Sequence, residues 1–255
     1  MAKEEGKIIT IFGSKGGCGQ SFMTNCISSY LAINTDKNIL LVDFNIGKID
    51  SRIIYKVNEN HIRTIFDIGN MNEEVDESLL KKIVVNFDNS LNVIFPPLYS
   101  DNLKTISDKN LLKIFNKLKE IFDLILIDYP FTLNLKDNSK KDNFNNLTQF
   151  CDKLLLVSLP DLISLNNLNI IINQLSDSIN YLNPEVIINK YNIRPSISFS
   201  LLNTVFKYPV EYFIPFDRDV EQLYLEKGPS CIFKYNIKIT RDLAEICNNL
   251  IKGLF

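Results

Sequence analysis

Residues 13–21 read GSKGGCGQS, and this stretch decides the fold of the chain. It matches the spacing G-x-x-x-x-G-K-[ST] of a phosphate-binding loop, except that Gln20 stands at the position of the lysine. Ser21 would open a helix whose N-terminal dipole faces the phosphates, with its hydroxyl placed to bind Mg²⁺. The stretch therefore predicts a nucleotide-binding site whose chemistry departs from the usual one.

The glycines of this stretch explain why it suits an anion. Gly16, Gly17 and Gly19 can adopt positive φ angles at little cost, so nearby backbone N–H groups can turn towards phosphate oxygens. The dinucleotide-binding fingerprint G-x-G-x-x-G does not fit, because Phe22 occupies the place of its third glycine. The spacing favours a phosphate loop.

Apolar runs rich in β-branched residues recur along the chain. Runs that are apolar on both faces are typical of buried parallel strands. They are residues 8–12, 39–42, 91–95, 124–127, 154–157, 186–188 and 212–214. Helical segments separate most of these runs, and the first leads directly into the glycine loop, as a phosphate loop requires.

Three of the intervening segments show helical periodicity. Apolar residues repeat at three and four positions over residues 164–182, which indicates a helix packed on a sheet. Residues 108–122 and 217–226 follow the same pattern, and each opens on an aspartate, Asp108 or Asp217, suited to cap the first turn. We expect an α/β fold with a doubly wound, mostly parallel sheet, formed as one domain over residues 1–255.

The composition is that of an ordinary globular domain, with 45% apolar and 23% charged residues. A formal net charge of −2 argues against a general nucleic-acid binder. The five cysteines show no metal-binding spacing and suit a reducing compartment. No apolar stretch has the length of a membrane span, and the first residues do not resemble a signal peptide. We therefore expect a cytoplasmic protein.

Lys15 lies ahead of the double glycine, and with it the loop resembles the deviant phosphate loops of the MinD/ParA superfamily. Residues 40–50, LLVDFNIGKID, are similar to the first switch region of that family, and residues 122–130, FDLILIDYP, are similar to its second. Residues 187–190 and 214–217 resemble its adenine-reading and base-covering segments. These matches run through essentially the whole chain in the family's order, and they imply a P-loop NTPase fold.

The resemblance implies a role for each matched position. Lys15 would reach across a dimer to the partner's phosphates as a catalytic residue, and the catalytic carboxylates Asp43 and Asp128 would organise Mg²⁺ and water. Ser21 would complete the metal site with these two carboxylates. The residues in contact with ATP would be Gly16, Gly17, Cys18, Gly19, Gln20, Ser21, Phe22, Asn189, Pro215 and Asp217. The expected cofactors are ATP and Mg²⁺, and the expected assembly is an ATP-dependent homodimer.

Three departures from the family pattern indicate slow hydrolysis. Gln20 cannot neutralise the charge that develops in phosphoryl transfer, where the loss of a charge-assisted contact costs about 1.5 to 3 kcal/mol. Asn45 stands where active relatives have a second aspartate that orients the attacking water, and an amide cannot accept a proton. Pro130 has no N–H to offer the γ-phosphate. The sequence predicts at most a weak ATPase.

The loop without its lysine, the phrase IDYP at residues 127–130 and the segment VSLPDLISLNN at residues 157–167 together resemble TadZ/CpaE proteins. That resemblance implies a protein that dimerises around Mg-ATP and positions Tad pilus or secretion machinery. It would lie at a cell pole or at the inner face of the membrane, held there indirectly by its partners. We expect no receiver-like N-terminal domain, because Lys7 already begins the first strand.

Two other functions stay open at this point. An active ATPase switch of the MinD, flagellar-number or ParA kind would cycle between membrane or DNA and the cytosol. An iron–sulfur reductase similar to nitrogenase iron protein would need cluster cysteines, and Cys151 has no evident partner in the sequence.

Two surface features, an apolar helix face and a row of lysines, do not require a membrane or a nucleic acid to explain them. The C-terminal residues 239–254 place apolar side chains on one helical face, which core packing explains better than membrane binding. Lysines at positions 104, 109, 113, 117 and 119 are explained by a solvated helix, so no specific nucleic acid is expected as a partner.

Overall fold

The computed structural model describes residues 5–57, 62–69, 75–88, 90–98, 106–130, 151–175, 182–193 and 197–255. The strands in these residues are β1 (Lys7–Gly13), β2 (Ile39–Asp43), β3 (Val85–Asp88), β4 (Leu91–Ile94), β5 (Leu124–Tyr129), β6 (Lys153–Ser158), β7 (Glu185–Asn189) and β8 (Tyr212–Ile214). They form one eight-stranded sheet in the order β3-β4-β2-β5-β1-β6-β7-β8. Among the described pairings, only that of β3 with β4 is antiparallel.

Helices fill most of the connections between these strands. They are α1 (Gln20–Asn34), α2 (Asp50–Ile54), α3 (Ile65–Gly69), α4 (Glu77–Lys81), α5 (Asp108–Ile121), α6 (Leu162–Gln174), α7 (Phe199–Val205), α8 (Arg218–Lys227), α9 (Pro229–Ile232) and α10 (Lys238–Leu254). None of the helices in the described residues has both the length and the apolar content needed to cross a membrane.

Two hydrophobic cores lie on opposite faces of the sheet. Helices α3 to α7 pack on one face, where Ile8 belongs to the core. Helices α1, α2, α8, α9 and α10 pack on the other, which its neighbour Ile9 enters. Successive side chains of a strand point to opposite faces, so a sheet covered on both sides requires strands that are apolar at every position. The doubly wound α/β fold predicted from the sequence is confirmed.

The predicted elements agree with the structure except at three points. All seven apolar runs are strands or parts of strands, but β3 was not predicted. Asp217 caps α8 as expected, whereas Ser107, not Asp108, caps α5 by accepting a hydrogen bond from the backbone N–H of Asn110. The prediction that Asp108 is the cap is wrong, because the helix already begins at Asp108 and the cap is the residue before it. The helix predicted over residues 164–182 is α6, which ends at Gln174, and residues 176–181 lie outside the described part.

The apolar face of the C-terminal helix α10 is buried in the core. Leu243, Ile246 and Cys247 are fully buried against the sheet and α1. This agrees with the prediction that these residues pack inside the fold.

The functional residues gather where the strand order reverses. β1 lies between β5 and β6, and the glycine loop leaves its carboxyl end. In doubly wound sheets ligands bind outside the carboxyl ends of the strands at such a reversal. The topology therefore predicts a ligand site at the edge of the sheet where β1, β2 and β5 end.

Candidate functional site

Two of the three loop glycines have the positive φ angles for which the sequence suits them, whereas Gly16 does not. Gly17 has φ 79° and Gly19 φ 91°, both in the region that favours glycine. A Cβ built on Gly19 would lie 2.1 Å from Nδ2 of Asn189, whereas one on Gly16 or Gly17 would meet no atom within 4 Å. One side of the loop is therefore packed against the protein, and the other side is open.

The open side of the loop faces a cleft of about 300 Å³, at the lower end of the volumes of small-molecule sites. The predicted residues that line it are Lys15, Gly16, Gly17, Cys18, Gly19, Gln20, Ser21, Phe22, Asn189, Pro215 and Asp217. The structure thus brings together the loop and two distant segments of the sequence. The lining also includes Asn45, Lys48, Asp50, Lys190, Phe216, Val220, Glu221, Tyr224, Leu225 and Ile239.

Asp43 and Asp128 lie beneath this cleft and are absent from its lining. The parallel register of β2 and β5 sets them directly opposite each other at the ends of the two strands. Their exposed fractions are 7% and 3%. The register, which the sequence does not reveal, is what turns two aspartates that are far apart in the chain into a buried pair.

Two amide side chains connect the buried carboxylates to the cleft. Nδ2 of Asn45 donates to Oδ1 of Asp43 at 2.7 Å and to Oδ2 of Asp128 at 2.8 Å. Nε2 of Gln20 donates to Oδ1 of Asp128 at 2.6 Å and to the backbone carbonyl of Tyr129. We call Gln20 and Asn45, with these hydrogen bonds, the amide bridge. It holds the two carboxylates together, and both of its residues line the cleft.

The amide bridge stabilises carboxylates that burial disfavours. Burial raises the pKa of Asp128, and the negative charge of Asp43 raises it further. Burial also raises the pKa of Asp43, although the hydrogen bonds from Asn45 act in the opposite direction. Two carboxyl groups this close resist simultaneous ionisation, and donated amide hydrogens offset part of that cost.

Lys15 makes a contact within its own chain. Its Nζ lies 2.9 Å from Oδ2 of Asp161, which caps α6 through the backbone N–H of Ser164. Burial raises the pKa of Asp161, but the hydrogen bonds from Lys15 and Ser164 outweigh that effect and leave the pKa below its ordinary value. Both side chains of the pair are about one third exposed, at 30% and 32%, so the contact is accessible from solvent.

Asn189 supports the glycine loop. Its Nδ2 donates to the carbonyl oxygen of Cys18 at 2.9 Å, and its Oδ1 accepts from the backbone N–H of Lys190. The sequence resemblance assigned Asn189 to the adenine edge of ATP. In the structure Asn189 lines the cleft and its side chain joins β7 to the loop, and Gly19 is required because its missing Cβ leaves room for that contact. The contact with adenine stays a prediction.

The far end of the cleft is formed by α8 and the loop before it. The Nζ of Lys190 lies 3.0 Å from Oε1 of Glu221. The ring of Phe22 packs edge-on against Tyr224 with centroids 4.9 Å apart. Glu221, Tyr224 and Leu225 were not predicted to line the cleft. They follow one another at helical spacings of three and four residues after the capping Asp217, and this pattern, which places them on one helical face, could have indicated them.

The donors around the loop suit a nucleotide phosphate and Mg²⁺. The buried hydroxyl of Ser14 has no hydrogen-bond partner within the described structure. The N-terminus of α1 and the open side of Gly16 and Gly17 face the cleft. Hard oxygen ligands such as the Ser21 hydroxyl and the two carboxylates are those that Mg²⁺ takes together with phosphate oxygens. The residues present therefore fit these groups.

The cysteines do not offer such ligands to a cluster. Burial raises the pKa of the Cys151 thiol to about 12. Within the described part of the chain, no three or more His, Cys, Asp or Glu side chains are grouped so that they could hold a metal ion. The geometry around Cys151 gives no support to the iron–sulfur alternative.

Comparison with known proteins places the chain in a family. Residues 6–188 match the family model AAA_31, described as an AAA domain. The septum site-determining protein MinD of Bacillus subtilis (strain 168) is 23% identical over 185 residues, which cover 72% of this chain and 65% of that protein. The match thus spans slightly less than two thirds of the length of this relative.

Solved structures share the fold over nearly the whole chain. A ParA family ATPase from Chlorobium tepidum has a TM-score of 0.77 and 21% identity, with 96% of this chain and 99% of that chain covered. MinD from Pyrococcus horikoshii, solved in complex with Mg-ADP, has a TM-score of 0.74 and 19% identity, with 97% and 96% covered. From the family match we conclude that the chain belongs to the AAA domain family, and its P-loop NTPase fold is the one that these ParA and MinD structures share.

Proposed function

We propose that this protein binds ATP with Mg²⁺ in the cleft, hydrolyses it slowly or not at all, and pairs with a second copy of itself when ATP is bound. The amide bridge carries this proposal. Gln20 and Asn45 donate hydrogen bonds to the two carboxylates, and neither amide can supply the positive charge or the proton acceptor that hydrolysis uses. The Mg-ADP complex of the Pyrococcus horikoshii relative supports the choice of ligand.

The binding roles follow from the positions of the side chains. Backbone N–H groups of the loop and the N-terminus of α1 would bind the phosphates. Ser21, Asp43 and Asp128 would hold Mg²⁺, which would neutralise phosphate charge. Pro215, Phe216 and Asp217 line the end of the cleft where the base would lie.

We expect slow turnover because the side chains at the positions that assist hydrolysis are uncharged or already form hydrogen bonds within the chain. Gln20 carries no charge, and its amide hydrogens are directed to Asp128 and to the carbonyl of Tyr129. Asn45 cannot accept a proton from an attacking water. Each of these differences removes stabilisation from the transition state of hydrolysis.

Lys15 would link nucleotide binding to dimer formation. In the free chain Asp161 neutralises it. Phosphates of a second copy would offer a stronger partner than a partly exposed carboxylate, because surface ion pairs contribute only about 0 to 1 kcal/mol. Lys15 would then exchange Asp161 for the partner's nucleotide.

The proposed biological role is that of a TadZ/CpaE-like platform that positions Tad pilus or secretion components. The absence of the loop lysine and the resemblance of residues 127–130 and 157–167 support this choice. The second candidate is an active positioning switch. The similarity to the Bacillus subtilis septum site-determining protein supports that candidate.

The first test is the solution mass of the full chain, measured by light scattering after size exclusion. We expect a dimer with Mg-ATP and a monomer with ADP or without nucleotide. Lys15→Ala should still bind ATP as a monomer but should not dimerise. A mass that does not respond to nucleotide would refute the proposal.

A second test distinguishes the two candidates. Steady ATP turnover that lipid vesicles or DNA stimulate would favour the active switch, whereas little turnover with an intact ATP-dependent dimer would favour the platform. The double change Gln20→Lys with Asn45→Asp should raise hydrolysis. If it does not, the second switch with Tyr129 and Pro130 limits the rate.

A further inference from the structure

A second large concavity lies away from the nucleotide cleft. It has a volume of about 1080 Å³ and is formed by the last turn of α1, the end of α8, α9 and the start of α10. We call it the basic groove. The described residues that line it are Tyr30, Ile33, Asn34, Lys56, Glu226, Lys227, Ser230, Cys231, Phe233, Lys234, Tyr235, Asn236, Thr240, Arg241 and Ala244.

The basic groove concentrates positive charge on a chain whose net charge is −2. Its described lining holds four cations and one carboxylate, that of Glu226. Eight lysines elsewhere form ion pairs, but within the described residues none of the four groove cations does. The four are Lys56, Lys227, Lys234 and Arg241. Uncompensated cations that share one concave surface attract an anionic partner.

The walls of the basic groove are partly apolar. Ile33 is 52% exposed and Tyr235 is 50% exposed. Tyr30 and Phe233 contact each other edge-on with centroids 5.1 Å apart. A ligand that carries only negative charge would leave these surfaces in water. The groove is complementary to an occupant that combines acidic groups with at least one apolar side chain.

Two observations favour an acidic protein segment over a nucleic acid. The rings of Tyr30 and Phe233 pack against each other, so they do not present separate faces on which successive bases could stack. A long polyanion also interacts with the whole molecule, and the net charge of −2 repels such a ligand. A short segment interacts with the groove alone.

We propose that the basic groove binds an acidic segment of a partner protein, with carboxylates on Lys227, Lys234 and Arg241 and an apolar side chain against Ile33 and Tyr235. Arginine and lysine clusters recognise acidic motifs in this way. The site is separate from the nucleotide cleft, and the proposal does not depend on ATP binding.

The experiment measures fluorescence anisotropy of a labelled peptide of about twelve residues, rich in glutamate and with one phenylalanine. We expect binding by the full chain with a Kd at or below about 100 µM at moderate salt. The triple change Lys227→Glu, Lys234→Glu and Arg241→Glu should weaken binding about tenfold or more. Tyr235→Ala should weaken it with all charges retained.

The matched control reverses three exposed cations elsewhere, Lys82, Lys109 and Lys113, and changes the net charge equally. That variant should bind the peptide as the wild type does. Thermal unfolding shows whether each variant is folded. The proposal is overturned if the peptide does not bind, if both triple variants lose binding equally, or if a glutamine-substituted peptide binds as well. Tighter binding of single-stranded DNA or of anionic vesicles would also overturn it.

Discussion

At the level of single residues, the neutrality of Gln20 and Asn45 sets the chemistry of the site. Asp43 and Asp128 are buried and lie directly opposite each other on neighbouring strands. Any further charged group beside them therefore changes the electrostatic energy of the pair. In active relatives, by resemblance, a lysine and an aspartate occupy these two positions. In this chain both positions carry neutral amides, which form the amide bridge.

The repulsion between the two buried carboxylates predicts that Asn45→Asp destabilises the fold. A third carboxylate beside Asp43 and Asp128 replaces a donor with an acceptor, and we expect the free energy of unfolding to fall by about 3 kcal/mol. Adding Gln20→Lys should restore part of it, with a coupling energy of about 1 kcal/mol or more. Urea denaturation at neutral pH measures both values. Asn248→Asp on the exposed side of α10 is the control, and equal effects of the two aspartates would contradict the prediction.

The carboxylate pair also predicts a pH dependence. Because burial raises the pKa of Asp128, the folded state keeps its proton above the ordinary value of 3.8, where the unfolded chain has lost it. The folded state then binds more protons, so the free energy of unfolding falls as pH rises from about 4 towards neutrality. Asp128→Asn removes this titration.

The measurement compares urea unfolding of the wild type and Asp128→Asn across that pH range, with EDTA and without nucleotide. Relative to the variant, the wild type should lose stability as pH rises. Asp36→Asn, at an exposed position, should follow the wild type. Parallel profiles for the wild type and Asp128→Asn would show that the carboxyl group is not perturbed.

At the level of the elements, the loop between β1 and α1 contains one glycine that is needed for packing and one that faces open space. Gly19 has a positive φ and no space for a Cβ, so Gly19→Ala should lower the free energy of unfolding by about 1 kcal/mol or more. Gly16 has open space, so Gly16→Ala should leave stability unchanged but weaken nucleotide binding by crowding the phosphates. Denaturation and titration with a fluorescent ATP analogue test the pair. Unchanged nucleotide affinity in Gly16→Ala would place the phosphates elsewhere.

Helix α10 provides a test of core packing against membrane binding. Leu243 is fully buried, so Leu243→Ala should lower the free energy of unfolding by about 2 to 5 kcal/mol. Asn248→Ala, on the exposed side of the same helix, should change it by less than about 0.5 kcal/mol. Urea denaturation provides both values. A small effect of Leu243→Ala would mean that the helix is not anchored in the core.

The sequence predicts the elements better than it predicts their contacts. The seven apolar runs are predictable because strands covered on both faces must be apolar throughout. Strand β3 is not, because Val85–Asp88 alternates polar and apolar residues and pairs antiparallel at the edge of the sheet. The contact between Asn189 and Cys18, and that between Gln20 and Asp128, join residues more than 100 positions apart and depend on the assembled sheet.

At the level of the whole molecule, helix α8 joins the two concave surfaces. Glu221, Tyr224 and Leu225 line the nucleotide cleft, and Glu226 and Lys227 line the basic groove. We therefore expect a ligand that fixes the helix at one end to affect binding at the other.

This connection predicts reciprocal coupling. Saturating Mg-ATP should change the affinity of the acidic peptide by about fivefold, and the peptide should change ATP affinity by the same factor, because coupling free energies are mutual. Calorimetric titration in both orders measures the two factors. Affinities that do not respond to the other ligand would show that α8 does not transmit a change between the sites.

The amide bridge also constrains how such a site can change over generations. A lineage that gained an aspartate at position 45 first would pass through a fold with three neighbouring buried carboxylates and little stability to spare. One that gained a lysine at position 20 first would place a cation next to Asp128, where Gln20 now donates a hydrogen bond. We therefore expect the second order of substitution to be accepted more readily than the first, so the path by which the site can change has a preferred direction.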